Sequence, residues 1–237
     1  MTSRARKPVA RKKKSARQPL TRERALQVAL SLADAGGIDT LTMRKLAQTL
    51  GVEAMSLYHH VPNKSAILDG MVDLIFTEIE PPSPFADWQT AMRRRAASVR
   101  EVLLRHPWAI RLMESRAQPG MATLAHHDAV LGCLRAAGFS IVLSGHAYAV
   151  LDAYIYGFIH SELNLPFQTT EQTHEVAAAI LDQMPAGMYP HLAEFARERV
   201  LKPGYAYGDE FAFGLELILS GLARALEQER EPAGPRS

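Results

Sequence analysis

Five side chains in this sequence are best suited to binding chemistry. They comprise one guanidinium, one hydroxyl, one imidazole and two apolar groups. They are Arg44, Ala54, Met55, Ser56 and His59. Arginine can donate two hydrogen bonds to guanine, serine and histidine can bond to base edges or phosphates, and alanine and methionine can contact a thymine methyl group. Together these groups are suited to reading the major groove of double-stranded DNA.

A helix-turn-helix over residues 42–61 would position these side chains. Leu46 and Leu50 repeat on one face of a first short helix, Gly51 supplies the turn, and Leu57 faces inward from a second helix. In this motif the second helix enters the major groove with its N-terminal end. The pattern therefore predicts a DNA-reading helix that begins near residue 53.

The second helix is expected to expose Met55 and His59. An α-helix turns by about 100° per residue, so these two side chains lie roughly opposite the inward-facing Leu57 and Val61. A solvent-facing helix usually carries Lys and Glu, and an exposed methionine is costly unless it binds something. The alternative is an ordinary helical hairpin in which both side chains are merely exposed.

Helical periodicity with cap residues recurs from residue 20 to residue 229 and strand signals are scarce, which predicts an all-α protein. A proline cluster at positions 81, 82 and 84 marks the sharpest internal boundary. We expect a DNA-binding domain over 18–80, with its linking helix over 64–80. A larger helical domain is expected over 85–228.

Charge is distributed unevenly along the chain. Residues 1–17 hold eight Lys or Arg and no acid, whereas residues 71–237 hold 14 bases and 20 acids. We expect residues 1–17 to be a disordered basic arm that either contacts DNA through counterion release or remains a solvated tail. The polar Pro/Gly segment 229–237 is predicted to be a disordered tail.

Composition narrows the class of protein. The chain has 237 residues, of which 47% are hydrophobic and 22% charged, typical of a globular protein. A single cysteine, Cys133, excludes a disulfide framework and suits a reducing compartment. The longest nearly apolar stretch, 147–159, is shorter than the roughly 20 residues of a membrane-spanning helix and contains Asp152. We expect a cytoplasmic protein with no membrane partner.

The run from Leu20 to Met71, and within it LTMRKLAQTLGVEAMSLYHHVPNKSAILD, closely resembles the DNA-binding domain of TetR (tetracycline repressor) family transcriptional regulators. The resemblance implies two sets of contacts. The base-facing set is Arg44, Ala54, Met55, Ser56 and His59, and the phosphate-facing set is Thr42, Tyr58, His60 and Lys64. Ala54 and Met55 depart from the residue types of the tetracycline repressor, so the preferred operator is expected to differ.

Two later segments, 134–158 and 211–226, resemble the helices that build a four-helix dimer bundle in the tetracycline-repressor subclass. The last helix is also apolar on more sides than one partner could bury. We expect a dimer interface formed by Phe211, Gly214, Leu215, Ile218, Gly221 and Leu222. A homodimer would bind a pseudo-palindromic operator with half-sites about 34 Å apart, or a multiple of that. The alternative is an internal core helix of a monomer.

The resemblance further implies a repressor that a small-molecule effector releases from DNA, because the effector binds the other conformation better. Candidate pocket residues, each of which could also be ordinary core, are Arg95, His106, Trp108, Met113, Arg116, His127, His146, Tyr154 and Phe158. Met113 falls near the magnesium-linked histidine position of the tetracycline repressor and cannot ligate magnesium. We therefore expect a partly apolar effector and no tetracycline–magnesium response.

Enzyme and metal motifs are absent from the sequence. There is no His-Glu-x-x-His, no G-x-S-x-G, no G-x-x-x-x-G-K and no G-x-G-x-x-G. We expect no catalysis, no metal site and no cofactor. Two other readings stay open: a helical interaction protein, and a nonspecific nucleic-acid binder without a small-molecule effector.

Overall fold

The computed structural model describes residues 19–115, 118–167, 169–185 and 187–231. Over these residues the chain forms eleven α-helices and no β-strand, as the all-α prediction required. None of these helices is long and apolar enough to cross a membrane. The predicted basic arm, the end of the predicted C-terminal tail and Arg116 lie outside the described residues.

The N-terminal part contains four helices: α1 (Arg22–Gly36), α2 (Met43–Leu50), α3 (Ala54–Tyr58) and α4 (Lys64–Glu78). Three of them begin at a side chain that accepts a hydrogen bond from a backbone N–H of the first turn, a stabilising cap. The three caps are Thr21, Thr42 and Asn63. Gly51 ends α2 in the left-handed conformation, with φ of 68°, which glycine adopts without steric cost. The start of α2, the turn at Gly51 and the start of α4 agree with the predicted motif and linking helix.

Helix α3 is shorter than predicted: it ends at Tyr58, whereas the predicted motif extends to residue 61. The chain nevertheless continues in a helical turn, since the Val61 N–H donates to the Leu57 carbonyl at 3.0 Å. Leu57 and Val61 are fully buried. The rotation that places Met55 and His59 on the opposite side is therefore kept.

The C-terminal part is built around one long helix. Its helices are α5 (Trp88–Arg105), α6 (Ala109–Ser115), α7 (Met121–Ala136), α8 (Ile141–Leu163), α9 (Thr170–Gln183), α10 (Pro190–Phe195) and α11 (Glu210–Arg230). Helix α8 packs against α5, α7 and α11, and α4 packs against α1, α6 and α7. Helix α4 thus connects the helix-turn-helix to the C-terminal helices.

In the structure, the face of α11 that is free to contact a second copy of the chain differs from the predicted one. Three of the predicted interface residues are covered by the chain's own core: Phe211, Leu215 and Leu222. Gly214 is closely approached by the ring of Tyr154, so its small size serves a contact within the chain. Ile218 is partly buried, and only Gly221 of the predicted set is exposed. The exposed apolar side chains of α11 are Phe213 and Leu217.

Candidate functional site

The surface around α3 exposes every residue predicted to read bases from that helix. Met55 is 71% exposed, and Ala54, Ser56 and His59 are exposed beside it. Leu57, on the opposite side, is fully buried against the core. This contrast within one short helix fixes which side faces outward.

The preceding and following helices place polar groups near α3. Arg44 lies in the first turn of α2 and Lys64 begins α4, and both side chains are exposed. Neither forms an ion pair or hydrogen bond with the side chains that the structure describes. The Thr42 hydroxyl accepts from the Lys45 N–H at 3.1 Å, which leaves its own proton free to donate. Tyr58 is 42% exposed.

A cavity of about 320 Å³ lies between α4, α6, the segment 118–120, α7 and α8. Of the predicted pocket residues, Met113 and His127 line it. The His127 ring lies edge-on to Phe76 and Tyr148, with centroids 5.5 Å and 5.6 Å away. The cavity therefore has an aromatic wall and is bordered by α4, the helix that follows α3 in the chain.

A buried polar network supports one side of this cavity. Arg95 is only 1% exposed and donates to the His126 Nε2 at 3.0 Å and to the Asp152 carboxylate at 2.6 Å. Because Arg95 donates to His126 Nε2, that nitrogen must be unprotonated. Burial, together with the charge of Arg95, lowers the pKa of His126 to about 3. Arg95 thus orients Asp152, which lines the cavity, and does not line it itself.

Burial shifts two titratable rings on the cavity wall, those of His127 and Tyr148, toward their neutral forms. It lowers the pKa of His127 and raises the pKa of Tyr148 to about 12. A neutral imidazole can both donate and accept, and a protonated phenol can do the same. The wall consequently offers uncharged hydrogen-bonding groups beside the Asp152 carboxylate.

The structure places His106 and Trp108 outside the cavity, at the junction between the N-terminal and C-terminal helices. The His106 ring lies 2.7 Å from the Asp34 carboxylate of α1 and 3.3 Å from the Glu78 carboxylate of α4. The Trp108 indole N–H donates to the same Asp34 oxygen at 2.7 Å. These side chains tie the corner between α5 and α6 to α1 and α4 of the N-terminal part.

The remaining predicted pocket residues are also elsewhere. The Tyr154 hydroxyl donates to the Phe211 carbonyl at 2.8 Å, and the Phe158 ring stacks on Tyr207 at 5.0 Å. Both belong to an aromatic cluster between α8 and the start of α11. His146 is exposed on α8. Their residue types were suited to a pocket, but the face of α8 that carries them is turned away from it.

Several cavity residues were missing from the sequence prediction. They include Asp69 and Val72 on α4, Thr123 on α7 and Asp152 on α8. A signal existed for Asp152, because it interrupts the longest apolar stretch and lies four residues from each of two tyrosines, Tyr148 and Tyr156, on one helix face. Among the described residues, no group of three or more His, Cys, Asp or Glu side chains is arranged to hold a metal ion.

Comparison with known proteins agrees with this architecture. Residues 25–71 match the model of the bacterial regulatory proteins of the tetR family, and residues 80–226 match the tetracyclin repressor-like C-terminal domain. The chain is 31% identical to the HTH-type transcriptional repressor DrrR1 of Streptomyces coeruleorubidus, over 91% of this chain and 82% of the relative.

Solved structures of ActR from Streptomyces coelicolor are similar to the chain in sequence and in fold. The apo form has a TM-score of 0.75 at 28% identity and covers 90% of this chain and 100% of its own. The complex with actinorhodin has a TM-score of 0.72 at 28% identity and covers 88% of this chain and 99% of its own.

The chain therefore belongs to the TetR family of bacterial transcriptional regulators. It is a DNA-binding, ligand-responsive regulator of a family whose members act as dimers on operator DNA. Proteins of this family are generally not enzymes.

Proposed function

We propose that this protein is a cytoplasmic homodimeric repressor that binds a pseudo-palindromic operator through α2 and α3 and leaves it when a small molecule fills the cavity beside α4. Residues 18–80 act as the DNA-binding domain and residues 85–228 as the effector-binding and dimerisation domain. It has no catalytic activity. The observation that carries the proposal is a recognition helix whose exposed side presents a methionine, a serine and a histidine, with no acid between them.

The base contacts are assigned to five side chains: Arg44, Ala54, Met55, Ser56 and His59. Their exposure supports this role. Thr42, Tyr58, His60 and Lys64 contact phosphates and set the orientation of the protein without specifying sequence. Because the reading face carries few positive charges, much of the electrostatic affinity comes from Lys45, Lys64 and the basic arm.

The reading surface is tested by DNA footprinting with the wild type and the double variant Met55→Ala/His59→Ala. The matched control is Met188→Ala/His191→Ala, which removes the same two residue types from an exposed site in the C-terminal part. We expect the wild type and the control to protect the same symmetric sequence. The reading-face variant should bind only weakly and without a protected sequence. Identical footprints from all three proteins would exclude α3 as the reader.

The cavity beside α4 is favoured over a second, larger groove as the effector site. That groove, of about 660 Å³, lies between α5, α8, α9 and the segment 206–209. Its charged Arg100 and Glu162 are already paired with each other, and none of its walls comes from α4. A ligand can shift the DNA-binding equilibrium only if it contacts something that differs between the two states.

The effector site is tested by screening small molecules for release of a fluorescent operator duplex, with tetracycline plus magnesium included. Compounds that act in the cavity should lose their effect in Met113→Trp, whose larger side chain fills part of it. We expect tetracycline plus magnesium to be inactive, because Met113 offers no oxygen ligand. Active compounds that release the wild type and Met113→Trp equally well would move the effector site elsewhere.

A further inference from the structure

Helix α7 is capped at its N-terminus by a side chain from α4. Its own N-cap residue, Gly120, has no side chain that could accept a hydrogen bond. The carboxylate of Asp73 takes that place: one oxygen accepts from the Thr123 backbone N–H at 2.9 Å and from the Thr123 hydroxyl at 3.0 Å. A carboxylate at this position also complements the partial positive charge of the helix N-terminus.

The Asp73 carboxylate lies in close contact with the backbone at the start of α7. A Cβ atom added to Gly120 would lie 2.2 Å from the Asp73 carboxyl carbon, so the backbone of α7 reaches the carboxylate only because residue 120 is glycine. Thr123 is buried, at 6% exposure. The two helices are therefore held together at one point by hydrogen bonds and close packing.

The same residues border the cavity. Gly120 and Thr123 line it from α7, while Asp69 and Val72 line it from α4, within one helical turn of Asp73. At its N-terminal end, α4 begins at Lys64, after the short segment 59–63 that follows α3. A displacement of residues 118–123 by a bound molecule thus acts on α4 at its middle, and α4 leads to the DNA-reading surface.

We infer that Asp73 is the positioning residue that couples this cavity to DNA binding, a regulation that rests on the function proposed above. The junction formed by His106 and Trp108 contacts α4 only at its C-terminal end, through Glu78, and these three residues do not line the cavity. Coupling between two sites is reciprocal. Binding of operator DNA must therefore stabilise the capped start of α7, even with no effector present.

This reciprocity allows a test with duplex DNA as the probe. Hydrogen exchange of the full chain is followed by mass spectrometry, with and without a duplex to which the wild type binds, in peptides covering 118–127. In the wild type, DNA should slow exchange there at least about fivefold, the lower end of usual allosteric coupling. Asp73→Ala should lose this response, and Asp73→Asn, which keeps an acceptor oxygen, should retain most of it.

The matched control is Thr77→Ala on the same helix. Thr77 is exposed and its hydroxyl donates to the Leu74 carbonyl of α4 itself. This variant should keep the full response. Because Asp73→Ala can also unfold the start of α7, Thr123→Val provides a milder change that deletes only the hydroxyl donor, and an intermediate response is expected.

Two results would overturn this inference but leave the proposed function standing. One is a wild type that binds the duplex with no change of exchange over 118–127, and the other is an Asp73→Ala protein that is folded and responds like the wild type. A wild type that binds no duplex of any sequence would overturn the proposed function as well. The two failures are therefore distinguishable.

Discussion

In the proposed function, DNA recognition depends on the shape and the charge of a few single residues on the reading surface. Met55 offers an apolar contact and His59 hydrogen bonds, while Arg44 is the one base-facing side chain with a permanent charge. Base contacts carry sequence information, whereas phosphate contacts raise the affinity for every sequence. Very few side chains would therefore account for most of the discrimination between one DNA sequence and another.

Replacing Arg44 by alanine should relax base preference at one position of each half-site and cost about 1 to 3 kcal/mol of binding free energy. The reason is the loss of a paired contact to guanine. The measurement is a titration against the operator and its single-base variants. Lys45→Ala is the matched control, because an exposed lysine on the next residue should weaken binding to all sequences alike. Uniform weakening by Arg44→Ala would make Arg44 a phosphate contact.

His126 should make the stability of the protein depend on pH. The pKa of His126 in the folded protein, about 3, lies below the ordinary histidine value. Its contribution to the free energy of unfolding is therefore complete above about pH 6.5 and falls as the pH drops toward 3. Between pH 7 and 4.5 the loss should be about 2 kcal/mol of unfolding free energy. Urea unfolding at a series of pH values measures it.

The variant His126→Gln keeps a hydrogen-bond acceptor but does not titrate, so its unfolding free energy should fall less steeply than that of the wild type. His146→Gln, on an exposed residue, should follow the wild type. Equal slopes for the wild type and His126→Gln would mean that folding does not lower the pKa of His126.

Helix α4 connects the two parts of the protein, because it contacts α1 of the N-terminal part and α6 and α7 of the C-terminal part. Besides packing on α6 and α7, it forms polar contacts with the C-terminal helices through Asp73 in its middle and Glu78 at its end. The first contact borders the cavity, whereas the second is shared with Asp34 of α1. Movement of α4 therefore has to be accommodated at the junction formed by His106 and Trp108.

Asp34→Ala should destabilise this junction by about 1 to 3 kcal/mol, because it leaves the buried indole N–H of Trp108 and a ring nitrogen of His106 without their acceptor. Chemical denaturation measures the change. Asp39→Ala, an exposed acid in the following turn, is the control and should change stability little. If both variants had the stability of the wild type, the junction would contribute nothing to holding the domains together.

Local elements were predictable from the sequence because their causes are local. Thr42 and Asn63 cap helices through groups three residues away, and Gly51 is the residue that a left-handed turn favours. The junction was not predictable, since His106 meets Asp34 and Glu78 from 72 and 28 positions away. No periodicity connects residues at such distances.

The free face of α11 was not predictable for a related reason. Phe211 and Leu215 are as apolar as Phe213 and Leu217, yet the first pair packs inside the chain and the second pair is exposed. Hydrophobicity marks both faces equally, and only the position of α8 decides which one is left for a partner. The sequence predicted that α11 has too much apolar surface for one partner, but not which side is free.

For the whole molecule, the exposed apolar face of α11 is the surface most suited to the dimer. Phe213 is 65% and Leu217 is 60% exposed, and nothing lies within 4 Å of a Cβ built on Gly221. Apolar side chains one and two turns apart, beside an open glycine, permit a second helix to approach closely. Val142 and Val150 of α8 are also exposed.

Leu217→Arg should convert the dimer to a monomer and reduce operator affinity, because a charge would be buried at the centre of the interface and a monomer reaches only one half-site. Analytical ultracentrifugation and a DNA titration measure the two effects. Leu124→Arg, on an exposed leucine of α7, should remain dimeric. A Leu217→Arg protein that sediments as a dimer would place the interface on another face.

Deleting residues 2–17 should weaken DNA binding for all sequences and flatten its salt dependence. The arm holds eight basic residues, and each one that contacts a phosphate should contribute about one unit to the slope of log K against log salt. Titrations of the full chain and the shortened chain at several salt concentrations give this slope. An unchanged slope would show that the arm is a passive tail.

The central claim is that a symmetric dimer reads a specific sequence through α2 and α3. The most direct test is selection from a randomised duplex library by the purified full-length protein at near-physiological salt, followed by sequencing of the bound pool. We predict an inverted repeat whose half-site centres are separated by whole helical turns of DNA. Recovery of no motif, together with binding that vanishes at moderate salt, would contradict the account and leave a nonspecific binder that acts through its basic arm.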